Sequence, residues 1–179
     1  MGEESRTTER RSVLVHTIRG SIEGHVRVNQ GVRTLDWLNL TRRFVPLEAS
    51  DTTFGDWPPG PGRVGLNKEL IQFVAELCEG PEADPRVEAT HYSREAVSLK
   101  LENCDVTGYL HVRDTHDPLL RLSRSEDSFI ALTSASAVGP DFELAATFLA
   151  VNPAHVLCIR LIDSAGNESS CDTVAAAGL

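Results

Sequence analysis

The chain has 179 residues, 41% of them hydrophobic and 24% charged, with a formal net charge of −9. These are ordinary globular values, which exclude a wholly disordered chain, and the acidic balance argues against nucleic acid or an anionic membrane as a partner. No apolar run approaches a membrane span, the polar N-terminal stretch lacks a signal-peptide core, and no lipidation motif closes the sequence; a cytoplasmic location is expected.

In chain order, residues 1–11 are polar, with Arg6, Arg10 and Arg11 beside Glu3, Glu4 and Glu9, and read as a disordered tail. Residues 13–18 predict a strand, Arg19-Gly20 a turn and residues 22–28 a second strand, in which Ile22, Gly24, Val26 and Val28 alternate with Glu23, His25 and Arg27. Thr34 can cap a short helix carrying Leu35, Trp37 and Leu38 that ends near Asn39. Residues 43–49 return to strand, the Gly- and Pro-rich residues 51–65 predict a loop, and residues 70–77 supply a last strand, so that a first β module spans 12–78.

An acidic linker follows over residues 79–92, with Glu79, Glu82, Asp84 and Glu88 around Pro81 and Pro85. A second β module spans 93–164. In place of the loop it has residues 141–151, apolar enough for an extra strand, and its last strand, 156–162, is nearly all apolar and so expected at the centre of a sheet. Residues 165–179 read as a C-terminal tail.

The two modules read as diverged copies. At a shift of 84, Val13 meets Val97, Val15 meets Leu99, Ile22 meets Val106, Gly24 meets Gly108, Val26 meets Leu110 and Val28 meets Val112. At a shift of 85, Phe44 meets Phe129, Val45 meets Ile130, Leu47 meets Leu132, Asn67 meets Asn152, Ile71 meets Val156 and Val74 meets Ile159. The expected fold is mainly β: two tandem small barrels or sandwiches, SH3-like or Sm-like, each with one short helix, related by a pseudo-two-fold axis.

The order Gly24-x-Val26-x-Val28, Arg33-Thr34-Leu35-Asp36-Trp37-Leu38-Asn39, Phe44-Val45-x-Leu47 and Asn67-x-x-x-Ile71-x-x-Val74 resembles an uncharacterised family of small β-rich bacterial domains. In that family an Arg-Leu-Ser-Asp-x-Leu-Asn-like box follows a strand. Copy one departs from it at Thr34-Leu35, and copy two has Asp117 to Ser123 in the box. The resemblance implies a fold and no activity.

Candidate sites are few. In the box, Leu35 and Leu38 serve the core, Asp36 favours the helix N-terminus and Asn39 terminates the helix. Arg27, Arg33, Arg42 and Arg43 form a basic stretch that, with Trp37 and Trp57, is the candidate surface for a protein partner or a small anionic ligand. Trp57 precedes Pro58-Pro59, which lacks the pattern of a specific proline-groove ligand.

Cys78, Cys104, Cys158 and Cys171 are spaced as free thiols rather than a zinc site, and His111, Asp114, His116 and Asp117 read as a strand end running into a solvated turn, so neither a metal nor any other cofactor is expected. No nucleophile elbow, phosphate loop or dinucleotide fingerprint is present, so no catalytic residue is assigned and the chain is read as non-enzymatic. The expected function is a non-catalytic protein-interaction module or assembly subunit of a bacterial cytoplasmic complex. Two alternatives are a sensor binding an anionic ligand or nucleotide between the modules, through Arg33, Arg42 and Arg43, and an RNA-binding small barrel.

Overall fold

Apolar residues at every second position bring two strands together as a hairpin. Strand β1 (Thr8–Thr17) pairs antiparallel with β2 (Gly20–Asn29), and Val13, Val15, Ile22, Val26 and Val28 are buried on one face. The computed structural model describes residues 7–40, 43–52, 61–77, 92–113, 119 and 127–162. The expected acidic linker, apart from Tyr92, lies outside them, as do residues 165–179 of the C-terminal tail.

Thr8–Arg11, expected within a disordered tail, belong instead to β1 and pair with residues 26–29, and residues 1–6 lie outside the described residues. These positions are polar on both faces, so periodicity gives no strand signal; the ladder to β2 and side-chain anchoring order them instead. Arg11 donates to Thr34 Oγ1 (2.8 Å) and to the Val32 carbonyl (2.9 Å) and stands 3.5 Å from Glu76, while Thr34 donates to Glu76. This network fixes the start of α1 (Thr34–Leu40), whose Leu38 is fully buried and whose Leu35 and Trp37 pack on the same core.

Strand β3 (Phe44–Thr52) pairs with β2 and with β4 (Gly62–Asn67). The expected loop is therefore strand at both ends. Asn67 then caps a 3-10 turn over Lys68–Leu70 by accepting the Glu69 N–H (3.2 Å), and β5 (Ile71–Glu76) follows.

The second half repeats this course with β6 (Tyr92–Lys100), β7 (Asp105–Arg113), β8 (Ile130–Val138) and β9 (Glu143–Val151). Asn152 caps a 3-10 turn over Pro153–His155, accepting the Ala154 N–H (3.0 Å), and β10 (Cys158–Leu161) ends the sheet. The expected second helix falls in 114–126, where only Leu119 is described.

All ten strands form one antiparallel sheet in the order β10-β6-β7-β8-β9-β5-β1-β2-β3-β4. The sheet is open, so neither half closes into a barrel. The five strands of the second half stand in the same relative order as the five of the first. The halves meet through unlike strands, β9 against β5, whereas a pseudo-two-fold axis would set like against like. A second correction concerns the last strand: β10 is an outer strand, not a central one, with Cys158, Arg160 and Leu161 exposed despite its apolar sequence.

Two glycines matched by the repeat have one physical role. Gly24 lies at the β2–β3 register shift and Gly108 at the β7–β8 shift. A Cβ on Gly24 would stand 2.5 Å from the Glu48 carbonyl oxygen, and one on Gly108 would stand 3.0 Å from the Ala135 Cβ. Gly24→Ala should therefore lower stability by about 1–3 kcal/mol through overpacking. Gly65→Ala, whose Cβ would meet only the Phe44 side chain at 3.7 Å or beyond, should change it far less. Urea unfolding midpoints of the two variants check this, and equal midpoints would contradict it.

Candidate functional site

Three features qualify as a site: the arginine-rich surface of the first half, the seam between the halves, and the two outer strands.

Arg27 and Trp37 share a shallow depression with His25, Pro46, Leu47, Glu48 and Arg63, on the faces of β2, α1, β3 and β4. Its cations already face a carboxylate. Arg27 Nε donates to Glu48 (2.8 Å) and Arg10 lies 3.5 Å from the same group, and the Arg27 guanidinium holds the Glu48 carboxyl below the usual carboxylate range. Arg33 lies outside the depression and makes two hydrogen bonds to Asp36 (2.9 and 3.1 Å), while Arg43 stands 3.9 Å from Glu69. Arg42 and Trp57 lie outside the described residues. Among the described residues, the structure thus brings Arg27 and Trp37 together in the depression, and Arg33 and Arg43 do not line it.

Among the described residues no group of three His, Cys, Asp or Glu side chains comes together; His111 Nε2 bonds Thr133 Oγ1 (2.9 Å), and Asp114, His116 and Asp117 are not described. Cys104 and Cys158 are free thiols, the first buried and pushed up to about 11 chiefly by desolvation, the second exposed. No helix among the described residues is long and apolar enough to cross a membrane.

At the seam, backbone pairing, side-chain bonds and core packing from both halves meet among the described residues. Phe73, Val74 and Ala75 of β5 pair with Val151, Ala150 and Leu149 of β9. Beyond the ladder, the Asn152 N–H donates to the Gln72 carbonyl (2.9 Å), and its side-chain amide donates to the carbonyls of Lys68 (3.2 Å) and Ile71 (3.0 Å). His155 Nε2 reaches the Glu69 carbonyl at 2.8 Å, which requires that this nitrogen carry the proton.

From the other side, Asn39 at the end of α1 grips the backbone of Phe129. Its Oδ1 accepts the Phe129 N–H (2.9 Å) and its Nδ2 donates to the Phe129 carbonyl (3.1 Å), and the Lys68 ammonium lies 5.6 Å from the Phe129 ring centre. Desolvation holds the Lys68 ammonium below its ordinary pKa.

The seam also exchanges core residues. Phe73 and Ala75 pack into the core of the second half, while Phe129 and Ala150 pack into the core of the first. His16 stacks on Phe73 and lies 4.7 Å from Phe142; its Nδ1 bonds Ser21 (2.7 Å) and its Nε2 is buried with no partner among the described residues. Burial lowers its pKa from the ordinary 6.5.

The functional reading of the box missed Asn39, taken as a helix terminator, and nothing in the sequence says that its amide would find Phe129. Asn152, Phe129 and their counterparts Asn67 and Phe44 were visible as repeat markers without an assigned role.

At the two outer strands the same design has no neighbouring strand among the described residues. Phe129 is fully buried at the seam, and Phe44, its counterpart in the repeat, is 54% exposed. Phe73 and Val74 are buried, and their counterparts Cys158 and Ile159 are exposed and half-buried. No family model, curated protein or solved structure matches the chain.

Asn39→Ala leaves the Phe129 backbone groups unpaired and should cost about 1–3 kcal/mol of stability, read from denaturant unfolding; a variant as stable as the parent would show that the grip is incidental. Because the folded pKa of His16 is depressed, the unfolded chain takes up its proton first. The stability contributed by neutral His16 is thus complete above pH 6.5 and is lost as pH falls from there toward the folded pKa. Over that window the melting temperature of the parent should fall more steeply with decreasing pH than that of His16→Gln; equal slopes would dissociate His16 from acid sensitivity.

Proposed function

We propose that the protein is a non-catalytic assembly subunit of a cytoplasmic complex, built from two copies of one β module and joined to other protein through the outer edges of its sheet. The two copies are inferred from the coincidence of the sequence repeat, the strand order, the paired bulge glycines and the two Asn-capped turns.

The observation that carries the reading is where apolar surface remains. Leu157 (69% exposed), Leu161 and Ile162 lie in or beside β10, while Leu40 (81% exposed) ends α1, Phe44 begins β3 and Leu70 ends the turn after β4. An outer strand offers unpaired N–H and C=O groups, and soluble proteins blunt such edges with charge or proline. Each of β4 and β10 carries one arginine and no proline. Neither edge has a neighbouring strand among the described residues, and edges that are apolar and sparsely charged favour strand addition by a protein.

Among the described residues, an anionic ligand draws support from the depression beside Arg27 and Trp37, where Glu48 already engages Arg27. RNA binding has less, since Arg27, Arg33 and Arg43 all have carboxylate neighbours.

Light scattering across a concentration series should give a discrete species heavier than the 19.5 kDa chain, and Phe44→Glu or Leu161→Lys should shift it toward the monomer without lowering the melting temperature. A strict monomer at every concentration would overturn the reading.

A further inference from the structure

Resting on that assembly reading, we propose that the occupant of each open edge is a second copy of this chain, added head to tail. In this arrangement β4 of one copy pairs with β10 of the next in the register that β9 already makes with β5.

The seam supplies the template. The repeat equates β9 with β4 and β5 with β10, so the two outer strands are the same unlike pair that meets inside the chain. Applying the shift of 85 to the seam pairs sets Leu66 opposite Cys158, Gly65 opposite Ile159 and Val64 opposite Arg160. Gly65 and Val64 stand where Ala150 and Leu149 stand at the seam, and Ile159 stands where Val74 does.

The side-chain clamp is retained as well. Asn152 uses its oxygen to cap its own turn and its NH2 group to hold the Lys68 and Ile71 carbonyls across the seam. Asn67 makes the same cap, and its NH2 group has no cross-strand acceptor among the described residues. In the next copy the matching acceptors are the carbonyls of Pro153 and Val156. Phe44, exposed here, would bury against that copy as Phe129 buries at the seam.

Pairing like with like, β4 on β4 or β10 on β10, would bring together surfaces with no precedent in the molecule and leave the Asn67 amide without these acceptors. The β10 composition, suited to a central strand, fits a position with a neighbour on both sides. Because the contact joins unlike surfaces, repetition closes into a ring or continues as a filament, according to the rotation at each joint.

The test uses full-length chains in which Cys78, Cys158 and Cys171 are changed to Ser, leaving only buried Cys104. One chain carries Gly65→Cys, where a Cβ meets only ordinary contacts, and the other Ile159→Cys. The two are unfolded and refolded together, then oxidised. A species of doubled chain mass that contains one of each is expected. Pairing Gly65→Cys with Leu161→Cys, displaced by about 7 Å along the strand, should give none.

Asn67→Asp keeps the cap acceptor and removes the NH2 donor, so it should shift association to higher concentration with the melting temperature unchanged. Loss of association only alongside loss of folding would count against the clamp. An assembled protein that yields only Gly65→Cys or only Ile159→Cys homodimers would overturn the head-to-tail register and leave the assembly reading standing. A monomer that forms no cross-link would overturn both.

Discussion

A β-strand satisfies its backbone only when a neighbour lies on each side, and the junction of β5 with β9 is where this chain meets that demand internally. Without it each half would be a five-stranded open sheet with an exposed β5 or β9. Three paired residues would be a slight connection by themselves. The Asn152 amide, the His155 imidazole and the Asn39 grip on Phe129 extend it into a set of bonds to backbone carbonyls and N–H groups that water would otherwise have to satisfy.

The same junction determines how the cores are arranged. Phe73 and Ala75 point away from the core of their own half, so the sheet serves one core on each of its faces near the seam. His16 is carried into this region by β1 and is stacked against Phe73, which explains why a titratable ring sits with one nitrogen unsatisfied between apolar neighbours. Gln72, in the bulge of β5 opposite β1, is fully buried with its side-chain amide unpartnered among the described residues. Both are polar costs accepted next to the junction, where backbone irregularity and core exchange coincide.

Much of the strand pattern was legible from period-two alternation: Val13, Val15, Val26 and Val28, with Val97, Leu99, Leu110 and Val112, are all buried as their spacing requires. The paired glycines and asparagines were legible as repeat marks because a bulge and a capped turn each demand a particular residue type. The order of the halves was not legible, since alternation says which face of a strand is apolar and is silent on its neighbour. Strand β10 misled for that reason. Thr8–Arg11 were missed because their order comes from a hydrogen-bonded partner and the Arg11 network rather than from apolar spacing. Of the candidate surface, the arginines were visible as charges, while the carboxylates that engage them come from elsewhere in the sequence, as Glu48 does for Arg27.

The exchange of core residues bears on the order in which the chain can fold as it is made. The first half lacks Phe129 and Ala150 until the second half has been synthesised through β9, whose last residue, Val151, lies 75 residues beyond the end of β5 at Glu76. During translation the N-terminal half therefore carries an incomplete core and an uncovered β5, and its final packing waits on contacts of long sequence separation. Native structure in the first half is then a late event, completed when β9 arrives rather than when β5 emerges.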